Sequence, residues 1–435
     1  MYTLNRSATP GDRKMKILRT KGRGAQQTAE LITALEQRGG AALDAVLPAV
    51  RRIVADVRKR GDRALLRYAT QFDGLSSADD LRVTQEEMTA AWEAISPALR
   101  AALTTASNQI RTFAVAQLPA SFSDDPIPGL ITGQLVRALG SVGCYVPSGR
   151  HPLPSTLLMT AIPAQEAGVE RIVVVSPKPA PETLAAAHLL GITEFYRLGG
   201  AHAIAALAYG TASLPRVDKI VGPGNLYVTA AKRWVAFDCA IDMLAGPTEA
   251  VVTSERGRAA DIASDLVAQA EHDPEALSIF ITTRADLAKD VLQEVKARSA
   301  NNSVAHESLD RNGLVILAAS ADEAHSITNR IAPEHLTVDA ASDLDWVQNA
   351  GSVFIGRWSA QPMGDYISGP NHTLPTGAMA RVRGGLSVND FVKLITVQQY
   401  SAIAIRALGP QAALLAEAEG LTAHAQAIRT RSARK

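Results

Sequence analysis

The sequence predicts an α/β protein with two doubly wound parallel sheets, a helical N-terminal region and a helical C-terminal tail. Strands alternate with helices through the middle of the chain, apolar residues before about position 108 recur at helical spacing, and an Ala-rich amphipathic stretch ends the chain. With 435 residues, the chain is long enough for two or three domains that each bury a core.

Composition and charge exclude several classes of protein. Lys and Arg number 44 against 43 for Asp and Glu, so the charge balance does not favour nucleic acid as a partner. The two cysteines are too few for a disulfide framework or a four-cysteine zinc site. We see no signal peptide and no run of about 18 apolar residues. We therefore expect a soluble, cytoplasmic protein without a membrane partner.

The chain is predicted to begin with a basic arm over residues 1–24, disordered or extended, and a helical part over residues 25–134. From about Gln26 to Asn108 the composition is dominated by Ala, Leu, Glu and Arg, with few strand formers. We expect this helical part to belong with the second α/β domain, so that the first sheet interrupts that domain.

Residues 135–244 are predicted to form the first doubly wound sheet with its helices. Its strands are Val142–Val146, Arg171–Val175, Phe195–Leu198 and Lys219–Val221, and its helices are Thr156–Ala167, Glu182–Leu190 and Ala201–Tyr209.

Residues 245–384 are predicted to form a second, similar domain, and residues 385–435 a helical tail. The second set of strands is Ala250–Thr253, Ser278–Thr282, Leu314–Leu317, Leu336–Val338 and Val353–Ile355. After Asn389 the chain is predicted to be helical.

Glycine turns after strands are candidate ligand contacts. Gly222-Pro223-Gly224-Asn225 follows a strand directly, Gly199-Gly200 follows another, and Pro147-Ser148-Gly149 follows the first. Open α/β sheets bind ligands near the carboxyl ends of strands, where glycine lets the backbone approach a ligand. Any one of these turns alone is more readily explained as an ordinary tight turn, whereas the three together favour one ligand crevice. Because no G-x-G-x-x-G is present, a dinucleotide would bind without the usual fingerprint.

Several side chains could bind a divalent cation. Gln269 and His272 are three apart on a predicted helix, and Asp365 and His372 lie in a predicted polar loop, whereas His424 is near the C-terminus beyond Glu419. Two imidazoles, a carboxylate and an amide would suit zinc or manganese. A histidine at a helix end is also commonly a cap.

Glu334 and His335 stand side by side immediately before a predicted strand. A carboxylate beside an imidazole is a candidate acid–base pair. However, neighbours on an extended segment would point to opposite sides, and such a pair also occurs by chance.

Together these motifs resemble the histidinol dehydrogenase family over about residues 51–429. The resemblance is carried, in the family's order, by Val146-Pro147, Gly199-Gly200-Ala201, Gly222-Pro223-Gly224-Asn225, Asp242 to Glu249, Gln269-Ala270-Glu271-His272, Pro333-Glu334-His335-Leu336, Asp365 to Pro375 and Glu419 to His424. It implies two Rossmann-like domains, with residues 135–244 binding NAD, and a homodimer with shared active sites. It also implies one Zn²⁺ per site and the oxidation of L-histidinol to L-histidine through the aldehyde.

The resemblance also implies roles for individual residues. Glu334 and His335 match the catalytic pair, in which His335 takes the hydroxyl proton and Glu334 activates water. The zinc ligands match Gln269, His272, Asp365 and His424. The cofactor positions match Tyr145, His202 and Asn225. The substrate positions match Thr248, Gln269, His272, His335, Asp365, His372, Glu419 and His424, and the tail carrying Glu419 and His424 would cross to the partner subunit.

Three residues depart from the family's common pattern: His202 replaces Gln, Thr248 replaces Ser and Ser148 replaces Gly. Thr248 keeps the hydroxyl, whereas His202 could acquire charge, so the cofactor contact of His202 is the one placed in doubt. Two alternatives stay open at this point. One is a related zinc and NAD dehydrogenase for another small polyol or a sulfonated diol, and the other is a ligand-binding homologue without turnover.

Overall fold

The structure is a computed structural model that describes residues 14–39, 43–148 and 152–433. Its helices are α1 Ala25–Glu36, α2 Leu47–Arg60, α3 Asp62–Tyr68, α4 Gln85–Ala94, α5 Pro97–Ala116, α6 Pro154–Glu166, α7 Pro181–Leu189, α8 Gly200–Tyr209, α9 Leu226–Val235, α10 Ala259–Ala270, α11 Ala285–Ser299, α12 Ser303–Asn312, α13 Ala321–Ile331, α14 Pro362–Tyr366, α15 Ala402–Ala418 and α16 Thr422–Ser432. Its strands are β1 Lys16–Arg19, β2 Arg82–Val83, β3 Phe122–Ile127, β4 Leu130–Ala138, β5 Ser141–Tyr145, β6 Arg171–Val175, β7 Glu194–Tyr196, β8 Lys219–Val221, β9 Ala240–Ile241, β10 Glu249–Thr253, β11 Leu277–Thr282, β12 Leu314–Leu317, β13 His335–Val338, β14 Ser352–Ile355 and β15 Val392–Tyr400.

Two six-stranded sheets form the body of the molecule. The first has the order β2-β7-β6-β5-β8-β9, parallel except for the short β2, and the second is parallel with the order β1-β12-β11-β10-β13-β14. After Arg171, strand β6 is apolar, and it lies between helices on both faces, which is the pattern of buried parallel sheets. The predicted fold class, two doubly wound α/β units with a helical C-terminal tail, is confirmed.

Helices cover both faces of each sheet. Helices α2, α3, α8 and α9 share one core with the first sheet, and α4 to α7 share the core on its other face. Helices α10, α11 and α12 cover one face of the second sheet, while α1 and α13 cover the other. The helices from α2 to α5 therefore pack on the first sheet, which differs from the expectation that they join the second domain.

A third, antiparallel sheet of order β15-β4-β3 was not predicted. Residues 392–400, predicted to be helical, form β15, and part of the region predicted to be helical at 25–134 forms the hairpin of β3 and β4. The residues of β15 after Val392 are exposed on both faces of the strand. Because no face is buried within this chain, the strand lacks the alternation of apolar and polar residues that would have revealed it.

The N-terminal arm is only partly described. Residues 14–24 include β1, which pairs in parallel with β12 at the edge of the second sheet, so this part of the arm is ordered. Residues 1–13 of the predicted arm, Gly149 of the predicted turn and residues 434–435 of the predicted tail lie outside the described residues. Among the described helices, none combines the length and apolarity needed to cross a lipid bilayer.

Candidate active site

A cavity of about 590 Å³ lies between the two large sheets. The first sheet contributes the residues that follow β8, namely Gly224, Asn225 and Leu226, which lie at the carboxyl end of that strand. The second sheet contributes residues at the amino ends of its strands, including Thr248 and Glu249. The two sheets thus present opposite ends of their strands to the same space.

Glu334 and His335 lie at the amino end of β13, buried and on the same side of the chain. Nδ1 of His335 is 3.6 Å from Oε2 of Glu334, although neighbours in a regular strand would diverge. The departure from strand geometry begins at Ala332, which has a φ of 49° and precedes Pro333. The two residues are neighbours in the sequence, and in the structure their functional groups are also close together.

Residues at the start of β10 hold this pair in place. The Thr248 hydroxyl and the Glu249 N–H donate to Oε2 of Glu334 at 2.6 and 2.8 Å. Nδ1 of His335 lies 3.1 Å from the Glu249 carbonyl, so this nitrogen carries the proton and donates. The other ring nitrogen, Nε2, is left to face Asp365 at 3.6 Å from Oδ1.

The charges around His335 favour its protonated form. Burial alone would lower its pKa, but the carboxylates of Glu334 and Asp365 outweigh burial and raise the pKa to about 10. For Asp365, burial would raise the pKa, and the imidazoles of His335, His372 and His272 lower it below the usual range. The site therefore stabilises a proton on the imidazole once the imidazole has accepted one.

His372 is fixed by the short helix that carries Asp365. Its Nδ1 donates to the Asp365 carbonyl at 2.8 Å, and burial lowers the pKa of the imidazole. Asp365 lies in α14, whereas the sequence interpretation placed it in a loop. The helix begins with Pro362, which is suited to a first helical position because it needs no amide donor.

Of the four predicted metal ligands, Gln269 contacts Thr248, His272 lines the same cavity as Thr248, and Asp365 faces His335. Gln269 is buried at the end of α10 and donates to the Thr248 hydroxyl. His272 follows the same helix, lines the cavity and lies close enough to Asp365 to lower its pKa. An amide, an imidazole and a carboxylate are the mixed nitrogen and oxygen donors that zinc accepts, so these residues fit the ion.

The fourth predicted ligand, His424, does not join them within this chain. It lies exposed on α16, and its side chain forms no hydrogen bond or ion pair with any residue in the described part of the chain. Glu419 is also exposed, at the end of α15. Across residues 14–39, 43–148 and 152–433, no three His, Cys, Asp or Glu side chains form a group that could hold a metal ion.

The predicted cofactor residues lie at the switch point of the first sheet. The chain leaves β5 in one direction to β6 and returns on its other side as β8, and such points form ligand crevices at the carboxyl ends of strands. Asn225 caps α9 here, accepting from the Tyr227 and Val228 N–H groups. Gly222 has a φ of 108°, and a Cβ there would overlap the carbonyl of Tyr145, so only glycine fits.

Comparisons with known proteins match nearly the whole chain. The family model described as histidinol dehydrogenase matches residues 36–432. Proteins named histidinol dehydrogenase are 44% identical over 417 residues in Bacillus thuringiensis, covering 93% of this chain and 97% of that protein, and 43% identical over 413 residues in Methanothermobacter thermautotrophicus, covering 92% and 96%. The crystal structure of histidinol dehydrogenase from Elizabethkingia anophelis has a TM-score of 0.90 at 34% identity, covering 96% of this chain and 98% of that one.

The chain belongs to the histidinol dehydrogenase family. It is therefore an oxidoreductase, and the resemblance read from the sequence motifs is confirmed. The assignment of individual residues to zinc, substrate and cofactor stays a prediction.

His202, where the histidinol dehydrogenase family commonly has Gln, is buried away from the cavity. Its side chain is 1% exposed, and Nε2 lies 2.7 Å from Oδ2 of Asp73. The same carboxylate oxygen accepts from the Gly199 N–H at 3.1 Å, while the Tyr145 hydroxyl accepts from the Gly200 N–H at 3.2 Å. Asp73 therefore engages the ring inside the protein, and the cofactor contact of His202 stays a prediction.

Sequence reasoning missed two residues of this site, Asp73 and Glu249. Asp73 ends a π-helical segment, Ala69–Asp73, in a region interpreted only as helical. Glu249 ends the motif that begins at Asp242, so the motif marked its position but not its role. Its contacts to Glu334 and His335 are made by its main chain, and a pattern of side chains in the sequence does not reveal main-chain contacts.

Proposed function

We propose that this chain catalyses the NAD-dependent, four-electron oxidation of L-histidinol to L-histidine through L-histidinaldehyde, the last two steps of histidine biosynthesis. The observation that carries the proposal is the buried Glu334–His335 pair, held by Thr248 and Glu249 at the edge of a cavity that Asn225 also lines. This arrangement joins an acid–base pair to a cofactor crevice.

His335 is the base for the alcohol in this proposal. Its Nδ1 proton is committed to the Glu249 carbonyl, so Nε2 is the atom that receives the hydroxyl proton as hydride leaves for the nicotinamide. The carboxylates of Glu334 and Asp365 raise the pKa of His335 and stabilise the imidazolium that results. A zinc ion held by Asp365 would offset the charge of that carboxylate and leave the imidazole neutral before the transfer. After His335 has released this proton to solvent, Glu334 would take a proton from the water that adds to the aldehyde. His335 would then take the hydroxyl proton of the hydrate as a second NAD accepts the hydride.

The substrate is held by residues around the same cavity. Thr248, Gln269, His272, Asp365 and His372 would orient histidinol, together with Glu419 and His424 of the partner subunit. Zinc would be held by Gln269, His272, Asp365 and the partner's His424, and when bound it supplies an anchor for the amino and imidazole nitrogens of the substrate. Keeping the aldehyde in one enclosed site protects it between the two oxidations.

The position of the C-terminal tail supports a homodimer. His424 and Glu419 are exposed and do not meet the other predicted ligands of their own chain. The strand and helix that lead to them carry exposed apolar side chains, a pattern that marks an interaction surface. These side chains are Leu394, Ile395, Val397 and Tyr400 on β15 and Ile403, Leu414 and Leu415 on α15.

NAD is proposed to bind beside Tyr145 and Asn225, with His202 acting through α8, and the enzyme is proposed to work in the cytoplasm. The side chain of Asn225 is occupied by capping α9, so its value to the cofactor lies in fixing the start of that helix and the Gly222–Gly224 turn.

The activity test is a stoichiometric assay with purified protein. We expect two NADH for each L-histidinol consumed, followed by absorbance, and no turnover of a sulfonated diol. Glu334→Gln and His335→Asn should each reduce kcat by about 100-fold or more, as for loss of a general acid or base. The matched control is Glu294→Gln, at an exposed carboxylate on α11 that pairs with Arg298. Absence of NADH with histidinol in the wild type would overturn the proposal.

The zinc set is tested separately by metal content. Wild-type protein should bind one zinc per chain, and His424→Asn should bind much less. His306→Asn is the matched control, because His306 is an exposed helical histidine that pairs with Asp310. Equal zinc in all three proteins would remove His424 from the ligand set and leave the proposed oxidation standing.

A further inference from the structure

Arg38 lies beneath the acid–base pair and joins segments that are distant in sequence. Its Nε and Nη2 donate to the two carboxylate oxygens of Glu249 at 2.8 and 2.6 Å. Its Nη1 donates at 2.6 Å to the carbonyls of Leu35, at the end of α1, and of Ile331, the last residue of α13. The guanidinium is nearly buried, with 10% of the side chain exposed, and all three of its nitrogens donate to protein acceptors.

Glu249 is the only residue in the described part of the chain whose main chain bonds to both members of the acid–base pair. Its N–H donates to Glu334, and its carbonyl accepts from His335. Its side chain, also buried, accepts from Arg38 and from the Gly377 N–H at 2.9 Å. The carboxylate is therefore an anchor for the peptide groups on either side of its own Cα.

This anchor matters because Glu249 is the first residue of β10. Its N–H leaves the strand ladder to reach Glu334, so the ladder alone does not fix its orientation. A rotation of Glu249 would displace both its N–H, which donates to Glu334, and its carbonyl, which accepts from His335.

We propose that Arg38 is a positioning residue for the oxidation proposed above. It holds the Glu249 carboxylate by bidentate hydrogen bonds. The Glu249 N–H then orients the Glu334 carboxylate, and the Glu249 carbonyl keeps the proton of His335 on Nδ1. Arginine is required for this task because its planar fork satisfies both carboxylate oxygens and still has a nitrogen for the two carbonyls, whereas lysine has a single charged centre. Arg38 does not contact the reacting atoms in this role.

A nearby ion pair provides the matched control. Arg330 and Glu36 join the same helices, α13 and α1, with Nε of Arg330 2.8 Å from Oε2 of Glu36. Neither side chain contacts Glu334, His335 or Glu249. Loss of this pair weakens the docking of α1 in the same way but leaves the acid–base pair anchored.

The experiment compares Arg38→Met, Arg38→Lys and Arg330→Met with the wild type in the histidinol assay, each well below its own Tm. We expect Arg38→Met to lower kcat by about tenfold or more with little change in the KM for NAD, because misplacement of catalytic groups by about 1 Å has effects of this order. Arg38→Lys should recover part of kcat, and Arg330→Met should keep kcat within about twofold of the wild type.

The outcomes separate this inference from the function on which it rests. Wild-type turnover with an unchanged kcat in Arg38→Met, or an equal loss in Arg330→Met, overturns the role of Arg38 alone. Wild-type protein without turnover of histidinol overturns both. If Arg38→Met does not fold, Arg38→Lys and Glu249→Gln decide: a lowered kcat at constant KM for NAD supports positioning, and an unchanged kcat refutes it.

Discussion

Asp73 Oδ2 lies 2.7 Å from Nε2 of His202, and the two residues, 129 positions apart, are buried together beside the Gly199–Gly200 turn. Tyr68 and Phe72 also flank the imidazole, with ring centroids 6.0 Å away. The pair connects the π-helical segment after α3 to the start of α8.

The first prediction concerns this pair. Asp73→Ala should lower the free energy of unfolding by about 3 kcal/mol, because it leaves the imidazole and the Gly199 N–H buried without an acceptor. It should also raise the KM for NAD by loosening the Gly199–Gly200 turn. His202→Gln should cost less than about 1 kcal/mol, since an amide still donates to Asp73.

Urea unfolding and NAD titration of the rate check this prediction. Asp44→Ala, at an almost fully exposed carboxylate, serves as the control and should leave both quantities unchanged. An Asp73→Ala protein as stable as Asp44→Ala would show that the pair contributes nothing to the fold.

The second prediction concerns the buried ion pair under the Gly222–Gly224 turn. Lys232 donates to the Gly222 carbonyl at 2.9 Å and to Asp242, which in turn accepts from the Gly222 N–H at 2.7 Å. Lys232→Met should destabilise the protein by about 3–5 kcal/mol, because it leaves a buried carboxylate without its cation. Adding Asp242→Asn should restore part of this loss. A double variant less stable than Lys232→Met, measured by urea unfolding, contradicts the pairing.

The third prediction is that neither cysteine takes part in the chemistry. Burial raises the pKa of Cys144 to about 12 and that of Cys239 to about 11, so both thiols are protonated near neutral pH. Iodoacetamide at pH 8 should leave the activity and the mass of the native protein unchanged and should alkylate both residues in urea. Rapid alkylation of the native protein with loss of activity would show a reactive thiol.

The fourth prediction concerns pH and Asp265, which lies on α10 beside the start of α14. Burial raises its pKa to about 6, opposed by the Gln361 N–H at 3.4 Å. The folded state therefore binds more protons than the unfolded state between about pH 4 and 6. The contribution of this group to stability is greatest below that window and is lost as the pH rises through 6.

Asp265→Asn removes this dependence. The variant should gain about 2 kcal/mol relative to the wild type between pH 4 and pH 7, measured by urea unfolding at each pH, because only the wild type must bury a charge. A difference between the two proteins that does not change with pH rules out Asp265 as the titrating group.

The contrast between buried and exposed strands explains which parts of the fold could be predicted from the sequence. The residues of β6 after Arg171 are all apolar because helices cover both faces, and a short stretch of the sequence is enough to show this pattern. Strand β15 is almost wholly exposed, so its Val, Ile and Thr residues carry no burial pattern and the segment was predicted to be helical. The partner strand, Leu130–Ala138, is more than 250 positions away, so the sequence around β15 gives no sign of the pairing.

The candidate site was predictable to the extent that its chemistry lies in short motifs. The adjacency of Glu334 and His335 is visible in the sequence, but their convergence depends on the backbone turn at Ala332. Asp73 reaches His202 only through the tertiary fold, and Glu249 acts through its peptide groups, so neither role has a signal in the sequence. These roles could not be predicted, because the sequence does not show which remote segments come into contact in the fold.

The fifth prediction places the C-terminal tail in the partner's site. His335→Asn and His424→Asn should each be inactive alone, but subunits of the two variants, mixed after reversible dissociation, should recover about a quarter of the wild-type activity. Half of the random dimers are hybrids, and in each hybrid one site combines an intact His335 with an intact His424 from the partner. If His424 served its own chain, every site in the mixture would carry one lesion, and no activity would return.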